Sequence, residues 1–167
     1  MNIIFEGCRR VGKSSVAKAF IERHPEYQYH YKRKLAPMEM WNELQSLGYN
    51  NVPTVFDRLH VSDKVYTPYY RPNNVDNIYW QELMQTEPEK TAMSTVIVYI
   101  PFLVPEIIAE PDRPTPTRRE EVDRFNHFLR QTRYPVINLS TQRVLPRGWK
   151  HMDEVMSHLE SALEIYR

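Results

Sequence analysis

The 167-residue chain is long enough for one domain around one sizeable core. With 41% hydrophobic and 26% charged residues it has the composition of a globular protein, and a formal net charge of +1 supplies no global field of the kind a general nucleic-acid binder carries. Cys8 is the sole cysteine, which excludes an intrachain disulfide and a cysteine-based zinc site. No apolar run approaches membrane-spanning length and the N-terminal stretch has no signal-peptide pattern, so the expected location is the cytoplasm.

Asn2 to Phe5 is a short apolar run that reads as a buried strand. Gly7 to Gly12 follows as a loop. Lys13 to His24 reads as a helix with Val16, Ala17, Phe20 and Ile21 on one face, closed by Pro25. Tyr27 to Tyr31 alternates aromatic and polar residues as a second strand, and Lys32-Arg33-Lys34 lies just beyond. Pro37 to Leu47 reads as a helix with Met38, Trp41 and Leu44 about one turn apart, ended by Gly48. Val52 to Phe56 is a β-rich run leading into Asp57-Arg58. Val61 to Tyr70 and Ile78 to Gln85 have helical patterns. Thr95 to Ile100 is the clearest buried strand. Pro101 to Thr117 is rich in proline and charge and reads as a loop. Arg118 to Arg130 is an amphipathic helix burying Val122, Phe125, Phe128 and Leu129. Val136 to Leu139 is a last short strand. Trp149 to Tyr166 closes the chain as a helix with Met152, Val155, Met156, Leu159 and Leu163 on one face. Short strands alternating with helices predict a single α/β domain over residues 1–167 with a parallel sheet, in which ligands sit at the carboxyl ends of the strands.

Gly7-Cys8-Arg9-Arg10-Val11-Gly12-Lys13-Ser14 matches G-x-x-x-x-G-K-[ST] in full, between an expected strand and an expected helix. Such a loop turns backbone N–H groups inward onto phosphate oxygens, and the helix N-terminus adds partial positive charge. Lys13 is placed to reach the β- and γ-phosphates of a nucleoside triphosphate, and the Ser14 hydroxyl to ligate Mg²⁺. Ser15 follows at the head of the same helix. A second chemical signal is Asp57, at the end of another apolar run. An acid there either holds Mg²⁺ and the reacting groups or caps the next helix, and both suit Asp. Arg58 beside it either pairs with Asp57 or offers its fork to a second phosphate.

Two stretches together resemble thymidylate kinases. Phe5-Glu6-Gly7 through Ser15 resembles their opening motif. Asp57-Arg58-Leu59-His60-Val61-Ser62-Asp63-Lys64-Val65-Tyr66 resembles their second motif, an Asp-Arg pair followed by a Ser and then an aromatic. The extended form, on to Pro68 and Tyr70-Arg71, is most similar to small thymidylate-kinase-like and deoxynucleoside-kinase-like proteins of phages. The resemblance implies a three-layer P-loop kinase fold: a five-stranded parallel sheet of order 2-3-1-4-5, flanked by helices, with a short lid over about residues 105–119. It implies ATP as donor with Mg²⁺, a deoxynucleoside monophosphate as acceptor, and the dimeric state common in the family.

By the same resemblance, Lys13 and Ser14 keep the cradle roles and Asp57 stands near the metal and reacting phosphate. Arg58 holds the acceptor phosphate, with Ser62 and Arg71 in the same acceptor site. Tyr66 packs near the acceptor sugar, although a core aromatic on its helix is an equal reading. Arg113 and Arg118, in or beside the proline-rich segment, are the lid arginines that meet the transferring phosphoryl group, unless Arg118-Arg119-Glu120-Glu121 is a solvated helix end. Arg143, in the Thr141–Arg147 segment after the last strand, is placed to pack on adenine. Thymidylate kinases usually have Asp where this chain has Arg9, so Arg9 or Arg10 is a candidate phosphate ligand. Their Arg-Glu-Pro-Gly segment is replaced by the region of Lys32-Arg33-Lys34, where Arg33 is either a second acceptor-phosphate contact or part of a solvated basic turn.

The expected activity is therefore ATP-dependent phosphoryl transfer to a deoxynucleoside monophosphate, thymidylate-like or a modified pyrimidine, giving the diphosphate. A deoxynucleoside kinase, or a kinase of a hydroxymethylated base in DNA, keeps the fold and changes the acceptor. A nucleoside kinase wants a carboxylate base at the second strand end, where this sequence is basic, and a DNA acceptor wants a wide basic groove that the net charge disfavours. A non-catalytic nucleotide-binding module or GTPase-like switch is the third reading. The sequence has neither an Asn-Lys-x-Asp segment nor an Asp-x-x-Gly after a strand.

Overall fold

The computed structural model describes residues 1–31, 37–70, 86–101, 116–139 and 152–167. Arg33, Arg71, Arg113, Arg143 and the expected helix 78–85 lie outside the described residues, as does the side chain of Arg118.

Strands β1 (Asn2–Gly7), β2 (Gln28–Tyr31), β3 (Thr54–Asp57), β4 (Thr95–Ile100) and β5 (Val136–Asn138) form one sheet in the order β2-β3-β1-β4-β5. Every pairing is parallel. All six residues of β1 and of β4 are buried, which is why these strands read as near-continuous apolar runs. The edge strands β2 and β5 are short and partly exposed, so little open ladder is presented to solvent.

Among the described residues, five α-helices accompany the sheet: α1 (Lys13–Arg23), α2 (Pro37–Ser46), α3 (His60–Tyr70), α4 (Arg118–Leu129) and α5 (Met152–Leu163), the last followed by a 3₁₀ turn at Glu164–Tyr166. Helix α1 packs on α5, and α3 packs on α4. The apolar faces form the core as expected for α1 and α5. Of the expected apolar face of α4, Phe125 is fully buried, while Val122, Phe128 and Leu129 lie against the core partly covered. On α2, Leu44 is buried and Trp41 packs partly covered against the core, but Met38 is exposed and Met40 is buried, with Leu47 just beyond the helix. The buried residues 40, 44 and 47 follow spacings of four and three, and position 38 falls off that stripe.

Helix α3 contains Pro68. Proline has no N–H for the carbonyl four residues earlier, here Lys64, and its ring crowds that carbonyl. Arg124 of α4 fills the gap, donating from one terminal nitrogen to the Lys64 carbonyl (3.1 Å) and from Nε to the Val65 carbonyl (3.1 Å). The break in one helix is thus the docking point of the other. A second polar tie centres on buried Glu87, before β4. It bonds His60 Nε2 (2.8 Å), the Thr132 hydroxyl and the Arg133 amide (2.9 Å). Among the described residues, no helix is long and apolar enough to cross a membrane.

Candidate active site

Parallel strands bring the ends of β1 and β3 together at one sheet edge, with Phe5 opposite Asp57. The loop from Cys8 to Gly12 leaves β1 at that edge. Gly7 is required there by close approach: its φ is 146°, and a Cβ would lie 2.2 Å from the Ile100 carbonyl oxygen. Arg10 (φ 60°) and Gly12 (φ 89°) both adopt left-handed backbone conformations, so the chain folds back on itself before α1. Gly12 occupies the N-cap position of α1 and offers no side-chain cap, so the first-turn amides are left to an incoming anion.

Lys13 is buried at the mouth of this loop, and its ammonium donates to the Cys8 carbonyl. Burial pushes its pKa down to about 7, and the Arg58 charge adds to the effect. Glu6, Asp57 and Cys8 act in the opposite sense. Ser14 is half-buried and Ser15 exposed. Cys8 and Val11 are core residues, so their contribution to a cradle is made by backbone.

Asp57 is fully buried. Its Oδ2 accepts a hydrogen bond from the Tyr29 hydroxyl (3.0 Å), and its Oδ1 has no hydrogen-bond partner among the described residues. It does not cap α3. That helix starts after Leu59, which has no capping group, and the cap comes from β1. The Glu6 carboxylate, fully buried, accepts from the amides of Leu59 (3.0 Å) and Ser62 (3.1 Å) and from the Ser62 hydroxyl. Ser62, expected in the acceptor site, has its hydroxyl turned to Glu6. Arg58 does not pair with Asp57. Its backbone is left-handed (φ 77°), its amide donates to the Phe5 carbonyl (3.0 Å), and its Nε is buried without a hydrogen-bond partner among the described residues. A non-glycine residue held at positive φ directly after a buried acid is a strained position, and such strain gathers at functional sites.

Arg9 is turned away from the loop interior. Nε and a terminal nitrogen both reach Glu121 Oε1 (2.8 Å each), and the Arg9 amide donates to Oε2 (3.3 Å). Glu121 is fully buried, so the alternative of a solvated helix end does not hold at this residue. Arg10 is exposed. Tyr66 is buried, with the Arg9 guanidinium 5.8 Å from its ring centre and Phe125 edge-on at 5.9 Å.

Sequence reading assigned no role to Tyr29, Glu6 or Glu121. A charged residue inside the apolar run of β1 is the signal for Glu6, and the charge inversion at Arg9 calls for an acidic partner such as Glu121. Nothing local marks Tyr29.

A divalent cation fits these residues. Asp57 Oδ1 is buried and unpartnered, and the Ser14 hydroxyl heads α1. The described residues hold no group of three or more His, Cys, Asp or Glu able to form an all-protein metal cage, so such an ion would take the rest of its ligands from phosphate and water.

No protein-family model matches the chain, and no curated protein is similar to it. Solved structures do match along nearly its whole length. The YorR protein of Bacillus subtilis, in complex with phosphorylated GDP, superposes with a TM-score of 0.65 at 14% identity over 100% of this chain and 99% of that one. Deoxyadenosine kinase of M. mycoides with bound dATP gives 0.59 at 10% identity, over 98% and 100%. Thymidylate kinase of Ehrlichia chaffeensis gives 0.57 at 12% identity, over 98% of each. The fold is that of the P-loop nucleotide kinases.

Proposed function

We propose that the protein is an ATP-dependent kinase that phosphorylates a deoxynucleoside monophosphate. The observation that carries the reading is the convergence of Lys13, Asp57 and Arg58 on one uncapped helix N-terminus at the carboxyl edge of the sheet. The loop amides and Lys13 would bind the donor phosphates. Ser14 and Asp57 would hold Mg²⁺, which supplies charge neutralisation at the phosphates. Arg58, with its buried Nε unspent, would bind the acceptor phosphate. The protein's task is then alignment and charge neutralisation, which suits a site with few groups able to move protons. An acceptor that already carries phosphate is favoured by β2, which ends in His30-Tyr31 and sends a phenol, not a carboxylate, toward Asp57.

The test is ATP consumption across deoxynucleosides, their monophosphates and short DNA. Turnover is expected with a monophosphate. Lys13→Met should lower it at least about a hundredfold, because a missing electrostatic contact to the transferring group costs about 3–4 kcal/mol. The variant should stay folded, since it removes a buried charge whose ionised form is already disfavoured. Unchanged turnover in Lys13→Met, or turnover with nucleosides alone, refutes the reading.

A further inference from the structure

Arg9 stands inside the phosphate-binding motif, yet its guanidinium serves Glu121 on α4. Three features make this more than a surface ion pair. The carboxylate is fully buried. Arg9 engages it through side chain and backbone together, so the loop's own conformation is part of the contact. The guanidinium also lies over the Tyr66 ring of α3, and Phe125, one turn beyond Glu121, packs edge-on against that ring. The cradle, α3 and α4 therefore meet at one side chain.

Glu121 sits in the first turn of α4. That turn is defined by a capping box, in which the Thr117 hydroxyl accepts from the Glu120 amide and the Glu120 carboxylate accepts from the Thr117 amide. Arg118 is the first residue of the helix, three before Glu121 in sequence. The next turn of α4 is tied to α3 by Arg124. A helix fixed in this way has little freedom to move unless the loop moves with it.

We propose that Arg9 and Glu121 are a positioning pair that clamps the first turn of α4 to the phosphate cradle, so that filling the cradle also sets where Arg118 begins. This rests on the kinase reading for its catalytic consequence, but not for the clamp itself. Because the Arg9 charge is spent on Glu121, losing the pair should affect transfer more than nucleotide binding. An interaction realised only as the phosphoryl group moves appears in kcat.

The experiment compares wild type with Arg9→Met/Glu121→Leu, which removes both charges of the pair while nearly keeping volume, so that neither of the two is left buried without the other. Binding of a non-hydrolysable ATP analogue with Mg²⁺ is measured by calorimetry, turnover by kcat and KM, and amide deuterium exchange across residues 117–121 with and without the analogue. In wild type, binding should slow exchange of the Glu121 amide, which is bonded to the Thr117 carbonyl. In the double variant that slowing should vanish and kcat should fall at least tenfold, with analogue affinity within about threefold (about 0.6 kcal/mol). Arg9→Lys keeps a charge but loses the fork, and should show a smaller loss of the same kind. It carries the test if the double variant does not fold. Retained slowing of exchange, or equal losses in kcat and affinity, overturns the proposal. Absence of turnover in wild type with every acceptor would instead overturn the kinase reading, while the exchange measurement still decides the clamp.

Discussion

Glu6→Gln isolates one structural device without changing side-chain volume. The carboxylate accepts from three donors: the Leu59 amide at Oε1, and the Ser62 amide and hydroxyl at Oε2. Glutamine has only one oxygen. If it faces Ser62, its NH₂ group faces the Leu59 amide, which becomes a buried donor without an acceptor. That costs about 1–3 kcal/mol. The two surviving bonds lose their ionic character, at about 1 kcal/mol each. Relief of a buried charge offsets part of this, leaving a net loss of about 2–4 kcal/mol. A domain of this size has about 5–15 kcal/mol to lose, so the variant folds. With a urea slope of about 2 kcal/mol/M, the midpoint should drop by about 1–2 M at unchanged slope. The effect should also reach the site, because Glu6 sets the start of α3 directly after Asp57-Arg58. A midpoint within about 0.3 M of wild type would show that the cap from β1 is not what holds α3 in place.

Gly7→Ala should prevent soluble folding or cost several kcal/mol, since the new Cβ meets backbone at 2.2 Å, whereas Gly12→Ala, with nothing within 4 Å, should cost only the left-handed strain of about 1–2 kcal/mol. Equal urea midpoints for the two variants would refute this contrast. Arg124→Leu should cost about 1–3 kcal/mol, and clearly less when Pro68→Ala restores an N–H to the Lys64 carbonyl. Equal costs in both backgrounds would show that Arg124 does not serve the proline gap. Burial alone would push Glu87 up, but hydrogen bonds from His60, Thr132 and the Arg133 amide outweigh it and hold its pKa below 4.5. The unfolded chain therefore takes up this proton first on acidification, so the stabilisation is whole above pH 4.5 and disappears as pH falls through the lower folded value. Urea midpoints between pH 3 and 6 should fall more steeply for wild type than for Glu87→Gln, and parallel curves would refute the assignment.

Which parts of this protein are legible in its sequence follows from the range of the forces involved. Strands β1 and β4 are buried along their whole length, so burial is written into them as near-continuous apolar runs, and their places are read directly. The cradle is equally local: loop, glycines, lysine and helix lie within one short segment. The buried face of helix α2 is not legible locally, because Met38 and Met40 are equally apolar and only packing against the core decides which one points inward. The burial of Glu121 is not legible either, because Arg118-Arg119-Glu120-Glu121 has the pattern of a solvated turn. Its burial depends on Arg9, 112 residues away in sequence. The Tyr29–Asp57 bond likewise depends on β2 and β3 lying side by side, which no local pattern specifies.

The charges around the cradle explain why a ligand with more than one phosphate suits it. Glu6, Lys13, Asp57 and Arg58 sum formally to zero. Their partners are unequally distributed, however. Glu6 has both oxygens bonded to donors at the start of α3, and Asp57 has one oxygen bonded to Tyr29. Among the described residues, Lys13 donates to a backbone carbonyl alone, and Arg58 keeps a buried Nε without a partner. The acids are therefore largely screened by the protein's own dipoles and the bases are not. The two cations also disfavour each other, which is part of why Lys13 is held down. An anion between them relieves both costs at once, and the uncapped amides of α1 add to the same field. A neutral nucleoside would leave the Arg58 side of that field unanswered. The proposed monophosphate acceptor would answer it with its own phosphate.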